Sequence, residues 1–77
     1  MAWTDEPSYA QINCIYRWLS WRMTNEEARN AANWLQKHAT RKEVSDEMTR
    51  IKKLHDSHNL DRETAFSSDI WEGYKPQ

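Results

Sequence analysis

The interior of this chain contains neither glycine nor proline. The single glycine, Gly73, and the two prolines, Pro7 and Pro76, all lie near the ends. Because these residue types are the strongest interruptions of regular structure, their absence between residues 8 and 72 favours continuous helix with short connections. It also argues against a glycine-rich loop that would hold a phosphate group.

Cysteine is equally scarce. Cys14 is the only one, so an internal disulfide is excluded, and we expect a reducing, cytoplasmic setting. No apolar run approaches the length of a membrane span, and the acidic N-terminus lacks the apolar core of a signal peptide. The net charge of −1 disfavours binding nucleic acid by bulk electrostatics alone. At 77 residues we expect one domain, 1–77, with 1–7 and 73–77 flexible.

What the chain does contain is a regular series of helix-start signals. Ser8, Thr24 and Thr40 are spaced sixteen residues apart, and each is followed three positions later by glutamine or glutamate. This is the pattern of a capping box, in which the hydroxyl and the later side chain each pair with the other residue's backbone amide. The pattern predicts an all-α fold, a small bundle of three crossed helices at about 9–22, 25–38 and 41–56.

Apolar residues recur at helical spacing inside each predicted helix. The three stripes are Ile12, Ile15, Tyr16, Leu19 and Met23; Ala28, Ala31, Ala32, Leu35 and Ala39; and Val44, Met48 and Ile51. We expect these stripes to form the core. After Leu54 the pattern decays, and Asp61 followed by the segment 68–71 predicts a short C-terminal helical element that packs back on the bundle.

Tryptophan is over-represented, with five in the chain. On a helical wheel Trp18 and Trp21 lie away from the apolar stripe and beside Cys14, so the first helix is apolar on two sides. One interpretation is that Trp3 or the Ile70-Trp71 pair covers the second side. The other is an exposed partner-binding surface, because Trp and Arg are enriched at binding hot spots. Its candidate residues are Trp18, Trp21, Trp34, Arg17 and Arg22.

Basic residues concentrate in and before the third predicted helix. The segment from Lys37 to Lys53 contains six Lys or Arg residues and three Asp or Glu residues, which gives it a net charge of +3. One interpretation is a solvated helix whose charges complement its dipole. The other is a helix-turn-helix-like pair, helices two and three, that binds DNA. Its candidate residues are Arg41, Lys42, Arg50, Lys52 and Lys53. The turn lacks the glycine that such motifs often contain, which favours the first interpretation.

Candidate catalytic and metal-binding groups are few. His55 and His58 flank Asp56, while His38 and Cys14 stand apart, and this falls short of the compact four-ligand set typical of zinc. Cys14 has no local signature of a nucleophile and is expected to act as a small apolar group. We therefore expect that the protein is not an enzyme and has no catalytic residues, and that it uses no metal, cofactor or small-molecule substrate.

The expected function is that of a small, non-enzymatic, intracellular binding protein that acts through protein–protein interaction. We expect its partner to be another protein or a second copy of itself, and we expect no membrane contact. Small helical proteins of this kind are frequent among accessory or inhibitory factors of viruses and mobile elements, and such an origin is one expectation for this chain. The alternative is a DNA-binding regulator, for which Arg41→Glu with Lys42→Glu would abolish a salt-dependent gel shift.

Overall fold

A computed structural model of the protein describes residues 4–75, and every regular element in that range is helical. The elements are α1 (Tyr9–Leu19), α2 (Asn25–His38), α3 (Arg41–Asp56), α4 (Arg62–Ala65) and a 3₁₀ turn (Asp69–Trp71). This confirms the predicted all-α class, the three main helices and the short C-terminal element. Among the helices of residues 4–75, none combines the length and the hydropathy that a membrane span requires.

The helix starts follow from their hydroxyl caps. Ser8 Oγ accepts from the Gln11 amide at 3.2 Å, and the Ser8 amide donates to Gln11 Oε1 at 2.9 Å, which completes a capping box. The equivalent pair at Thr40 completes the same box for α3. At α2, Thr24 accepts from the Glu27 amide, but the Glu27 carboxylate accepts from the Thr24 hydroxyl and not from its backbone. All three hydroxyl caps are therefore confirmed, and one box is incomplete.

The first helix ends earlier than its sequence pattern predicts, at Leu19 and not near residue 22. The amides of Trp21 and Arg22 donate to carbonyls three residues earlier, which is the tighter 3₁₀ pattern. The Ser20 hydroxyl meanwhile donates to the Arg17 carbonyl at 2.8 Å. Serine competes in this way for helix carbonyls and favours helix ends. As a result, Trp21 lies in the turn between α1 and α2 and not on the helix itself.

The predicted apolar stripes form the core. Helix α1 packs against both α2 and α3, and Ile15 and Leu19 are completely buried between them. The side chains that α2 buries are mostly small: Ala28, Ala31 and Ala32 accompany Leu35. The buried core residues are Ile12, Ile15, Leu19, Ala28, Ala31, Ala32, Leu35, Val44, Ile51, Leu60, Ala65 and Trp71. The last three come from beyond α3, so the C-terminal part of the chain closes the bundle.

Residues 4–7 lie against the start of α3, although the sequence favoured a flexible segment there. The Arg41 amide donates to the Asp5 carbonyl at 2.8 Å, and Arg41 Nε donates to the Glu6 carbonyl at 3.3 Å. Pro7 is buried. Residues 1–3 and 76–77 lie outside the described residues, and with them Trp3, one of the proposed covers of α1.

Candidate functional site

Trp21 is the one exposed tryptophan among the four that the structure describes. It is 72% exposed, in the turn that joins α1 to α2. Its indole meets the His55 imidazole edge-on, with ring centres 5.5 Å apart and planes at 73°. The ring therefore rests on the end of α3 while most of its surface faces water.

A hollow of about 400 Å³ lies beside this indole. It is bounded by the α1–α2 turn, the end of α3 and the segment that follows α3. The residues that line it are Trp21, Arg22, His55, His58 and Leu60. None of the five is acidic, one is permanently cationic and two are histidines. We call these five residues the Trp21 surface.

The backbone at the end of α3 places His58 in this surface. His58 has a positive φ of 61°, in the left-handed region. Its amide donates to the His55 carbonyl at 3.2 Å, and the Asn59 amide donates to the Leu54 carbonyl at 2.8 Å. These two bonds are the Schellman motif, whose left-handed residue is usually glycine because a side chain there costs roughly 1–2 kcal/mol. Because strained backbone positions are often found at functional sites, a histidine here suggests that its side chain has a functional role.

Two carboxylates stand next to the Trp21 surface without lining it. Asp56 Oδ1 is 3.3 Å from His55 Nδ1. The Thr64 amide, with a smaller contribution from Arg22, holds the pKa of Asp61 below its ordinary value. Arg22 is as exposed as the two carboxylates, so solvent screens all three groups and the rim of the hollow carries charges of both signs.

The structure separates the residues that the sequence grouped around Trp21. Arg17 and Arg22 are exposed, and Trp18 is half-buried and packs against the core. Cys14 is also half-buried. Trp34 belongs elsewhere: its described ring contacts are with residues of α2 and of the C-terminal segment.

An aromatic cluster forms around Trp34. Its indole is stacked on His38, with ring centres 4.6 Å apart, and lies nearly parallel to Trp71 at 6.0 Å. Phe66 and Tyr74 complete the cluster around Trp71, at 4.8 Å and 5.4 Å. Burial raises the pKa of the Tyr74 phenol, and the charge of Glu27 adds to that effect. From the sequence we expected Tyr74 to lie in a flexible tail. Tyr74 lies outside every segment of periodic apolar residues, so the sequence did not indicate that it packs in this cluster.

A buried carboxylate locks the C-terminal segment to α3. Glu47 is only 3% exposed and accepts hydrogen bonds from Trp71 Nε1 at 2.6 Å and from Ser68 Oγ at 2.9 Å. Arg50 donates to it twice, at 2.9 Å and 2.6 Å, and also donates to the backbone carbonyls at the end of α4. We call Glu47, Arg50, Ser68 and Trp71 the C-terminal clasp.

The buried role of Glu47 was not predicted from the sequence, although a signal was present. Glu47 stands three residues after Val44 and four before Ile51, which places it on the inward face of α3. An acidic residue at an inward position needs a buried donor. Its donors could not be identified from sequence, because Ser68 and Trp71 are 21 and 24 residues away.

The five DNA-binding candidates do not form one continuous surface that is available to a ligand. Arg50 is part of the C-terminal clasp, and Arg41 donates to the carbonyls of residues 5 and 6. Lys42 pairs with Asp46 at 3.3 Å. Lys52 and Lys53 are exposed on α3. Two of the five side chains thus take part in packing of the chain on itself, which weakens the helix-turn-helix interpretation.

Within residues 4–75 no three histidine, cysteine or acidic side chains come together as a metal-binding group. His55 and His58 instead border the Trp21 surface. Comparison of the chain with protein-family models, with curated proteins and with solved structures gives no match.

Proposed function

We propose that this protein is a small, non-enzymatic binding protein that engages a protein partner through the Trp21 surface. The observation that carries the proposal is the exposure of Trp21 in a chain whose other described tryptophans are half-buried or buried. An exposed indole beside an arginine is the usual composition of a binding hot spot. The proposal requires neither catalysis nor a cofactor.

The chemistry of the Trp21 surface indicates what kind of protein fits it. The hollow offers apolar contact with Trp21 and Leu60, and it is bordered by Arg22 and two histidines. An apolar side chain of the partner would fill the hollow, and polar or charged groups around it would pair with Arg22, Asp56 and Asp61 at the rim. We therefore propose that the partner presents an apolar residue surrounded by polar groups.

Affinity capture with matched variants tests this proposal. Wild-type protein, Trp21→Ala and Tyr9→Ala are used in parallel, and the captured partner is identified by mass spectrometry, purified and titrated. We expect Trp21→Ala to weaken binding by about thirtyfold, the effect of a hot-spot residue worth about 2 kcal/mol. Tyr9 is the control, because it is 83% exposed and lies at the opposite end of α1. Equal affinity of Trp21→Ala and wild-type protein would overturn the proposal.

Two other outcomes identify a different partner. A dimer of the wild-type protein in analytical ultracentrifugation, with monomeric Trp21→Ala, would identify a second copy of the chain as the occupant. Binding to duplex DNA that depends on Lys52 and Lys53 and not on Trp21 would instead support the DNA-binding alternative. Circular dichroism of each variant establishes that the helices are intact.

A further inference from the structure

A second polar hollow lies on the other exposed side of α2, against the C-terminal segment. Its volume is about 550 Å³. The polar groups that line it are Asn30, Asn33, Lys37, His38 and Lys75, and the aromatic ones are Trp34 and Tyr74. No acidic side chain lines this hollow, although the chain as a whole has a net charge of −1. Two lysines border the hollow, and Glu27 is an acidic group that acts on its lining, since its charge reaches Tyr74.

An exposed flat ring borders this hollow. The His38 imidazole stacks on Trp34 with an angle of only 23° between the planes. Trp34 in turn lies at 19° to the buried Trp71, so the imidazole is supported by aromatic rings that are fixed in the fold. Since His38 itself is exposed, a further planar group can stack on it from solvent.

The same chemistry continues along α2 towards the start of α1. A neighbouring hollow of about 280 Å³ shares Asn33 and is lined also by Tyr9, Tyr16 and Arg29. Arg29 lies over the Tyr16 ring at 5.5 Å, and Tyr9 is 83% exposed. From Arg29 to His38 the helix rises by about 14 Å. We call this strip, from Tyr9 and Arg29 to His38 and Lys75, the α2 strip.

We propose that the α2 strip binds single-stranded nucleic acid. Bases stack on the exposed rings of Tyr9 and His38, and backbone phosphates lie beside Arg29, Lys37 and Lys75. The amides of Asn30 and Asn33 donate to or accept from base edges. Alternating aromatic rings and cations are the common composition of surfaces that bind single strands.

The arrangement favours a single strand over two other anionic ligands. Bases in a duplex are already stacked and cannot present their faces to Tyr9 and His38. An acidic peptide would pair with the lysines and the arginine, but it would make no use of the two exposed rings. Both ligands therefore serve as comparisons in the test.

Fluorescence anisotropy with labelled oligothymidylate provides that test. We expect binding at low salt, with duplex DNA of the same length at least tenfold weaker. For three phosphate contacts, the logarithm of the association constant should fall with the logarithm of salt concentration with a slope of about −2. We expect His38→Ala to weaken binding about tenfold, the loss of one stacked base, and Lys37→Ala to make the slope shallower by about 0.7.

Two variants serve as controls. Lys52→Ala removes an exposed lysine of α3 and Trp21→Ala removes the exposed indole of the other surface, and both should leave oligonucleotide binding unchanged. Because His38→Ala should in turn leave partner capture through the Trp21 surface intact, each of the two proposals can fail alone. The α2 strip proposal is wrong if oligothymidylate does not bind. It is also wrong if polyglutamate or duplex DNA binds equally well, or if His38→Ala has no effect.

Discussion

At the scale of single residues, Glu47 has the largest effect on stability that the structure predicts for a charged side chain. Its carboxylate accepts four hydrogen bonds in the C-terminal clasp and is 3% exposed. Glu47→Gln keeps the shape of the side chain, but it removes the charge opposite Arg50 and replaces one acceptor with a donor. We expect the free energy of unfolding to fall by about 2–4 kcal/mol, measured by urea denaturation.

Asp46→Asn is the matched control for this substitution, because Asp46 is the neighbouring acidic residue on α3. Asp46 pairs with Lys42 in an ion pair whose side chains are 72% and 64% exposed. Exposed pairs of this kind contribute about 0–1 kcal/mol. If the free energy of unfolding fell equally in the two variants, the stabilising role of the C-terminal clasp would be contradicted.

His58 provides a second test at this scale, because its left-handed backbone is strained. His58→Gly removes a steric cost of roughly 1–2 kcal/mol, while the added freedom of the unfolded chain costs about 0.5–1 kcal/mol. We therefore expect thermal unfolding to show a net stabilisation of about 0.5–1 kcal/mol. Ser57→Gly, one residue earlier at a φ of −92°, gains no such relief and should be destabilising. A destabilised His58→Gly would contradict the strain argument.

The same substitution connects stability to the proposed function. His58 lines the Trp21 surface. A variant that is more stable than wild type and yet binds the partner less tightly would explain why histidine, and not glycine, occupies this position.

At the scale of elements, the helices could be predicted because their determinants are local. Ser8, Thr24 and Thr40 each cap the helix that they predict. The end of α1 was missed although its determinant is also local. Ser20 competes for a helix carbonyl there, and apolar periodicity takes no account of that competition.

A pair of identical substitutions in α3 separates capping from helix propensity. Thr40→Ala removes the N-cap of α3 and should lower the free energy of unfolding by about 1 kcal/mol. Thr49→Ala, on the exposed face of the same helix, replaces a residue of lower helix propensity and should be neutral or stabilising by up to about 0.5 kcal/mol. Urea denaturation of both variants measures the difference. Similar effects for the two would contradict the capping assignment.

At the scale of the whole molecule, stability depends on the closure of the bundle by its C-terminal segment. A chain of this size has a small core and a total stability of roughly 5–10 kcal/mol at most. Trp71 is 4% exposed, packs in the aromatic cluster and donates to Glu47. Trp71→Ala should therefore cost about 3–5 kcal/mol, a large share of that total.

Urea denaturation followed by circular dichroism measures this cost. Trp21→Ala serves as the control, because its indole is 72% exposed and its loss should change stability by no more than about 0.5 kcal/mol. A Trp71→Ala variant as stable as Trp21→Ala would show that the helices α1 to α3 hold together without the clasp.

The candidate site was only partly predictable, and the reason lies in the range of the interactions. The sequence indicated that Trp21 lies outside the apolar stripe of α1 but left open whether it is covered or exposed, and the structure has it exposed. It could not indicate that Trp34 packs with Trp71 and Tyr74, since those contacts span more than thirty residues. It also could not place His55 and His58 beside Trp21, because that depends on where α3 ends relative to the α1–α2 turn.

The clasp also has a consequence for how the protein is made. The Glu47 carboxylate precedes its indole donor by 24 residues. On a translating ribosome, α3 is therefore complete while Arg50 is the only described donor yet available to this carboxylate, and we expect the nascent helices to associate loosely until Trp71 emerges. Fragments that stop short of Ser68 should accordingly be sensitive to proteolysis in cells.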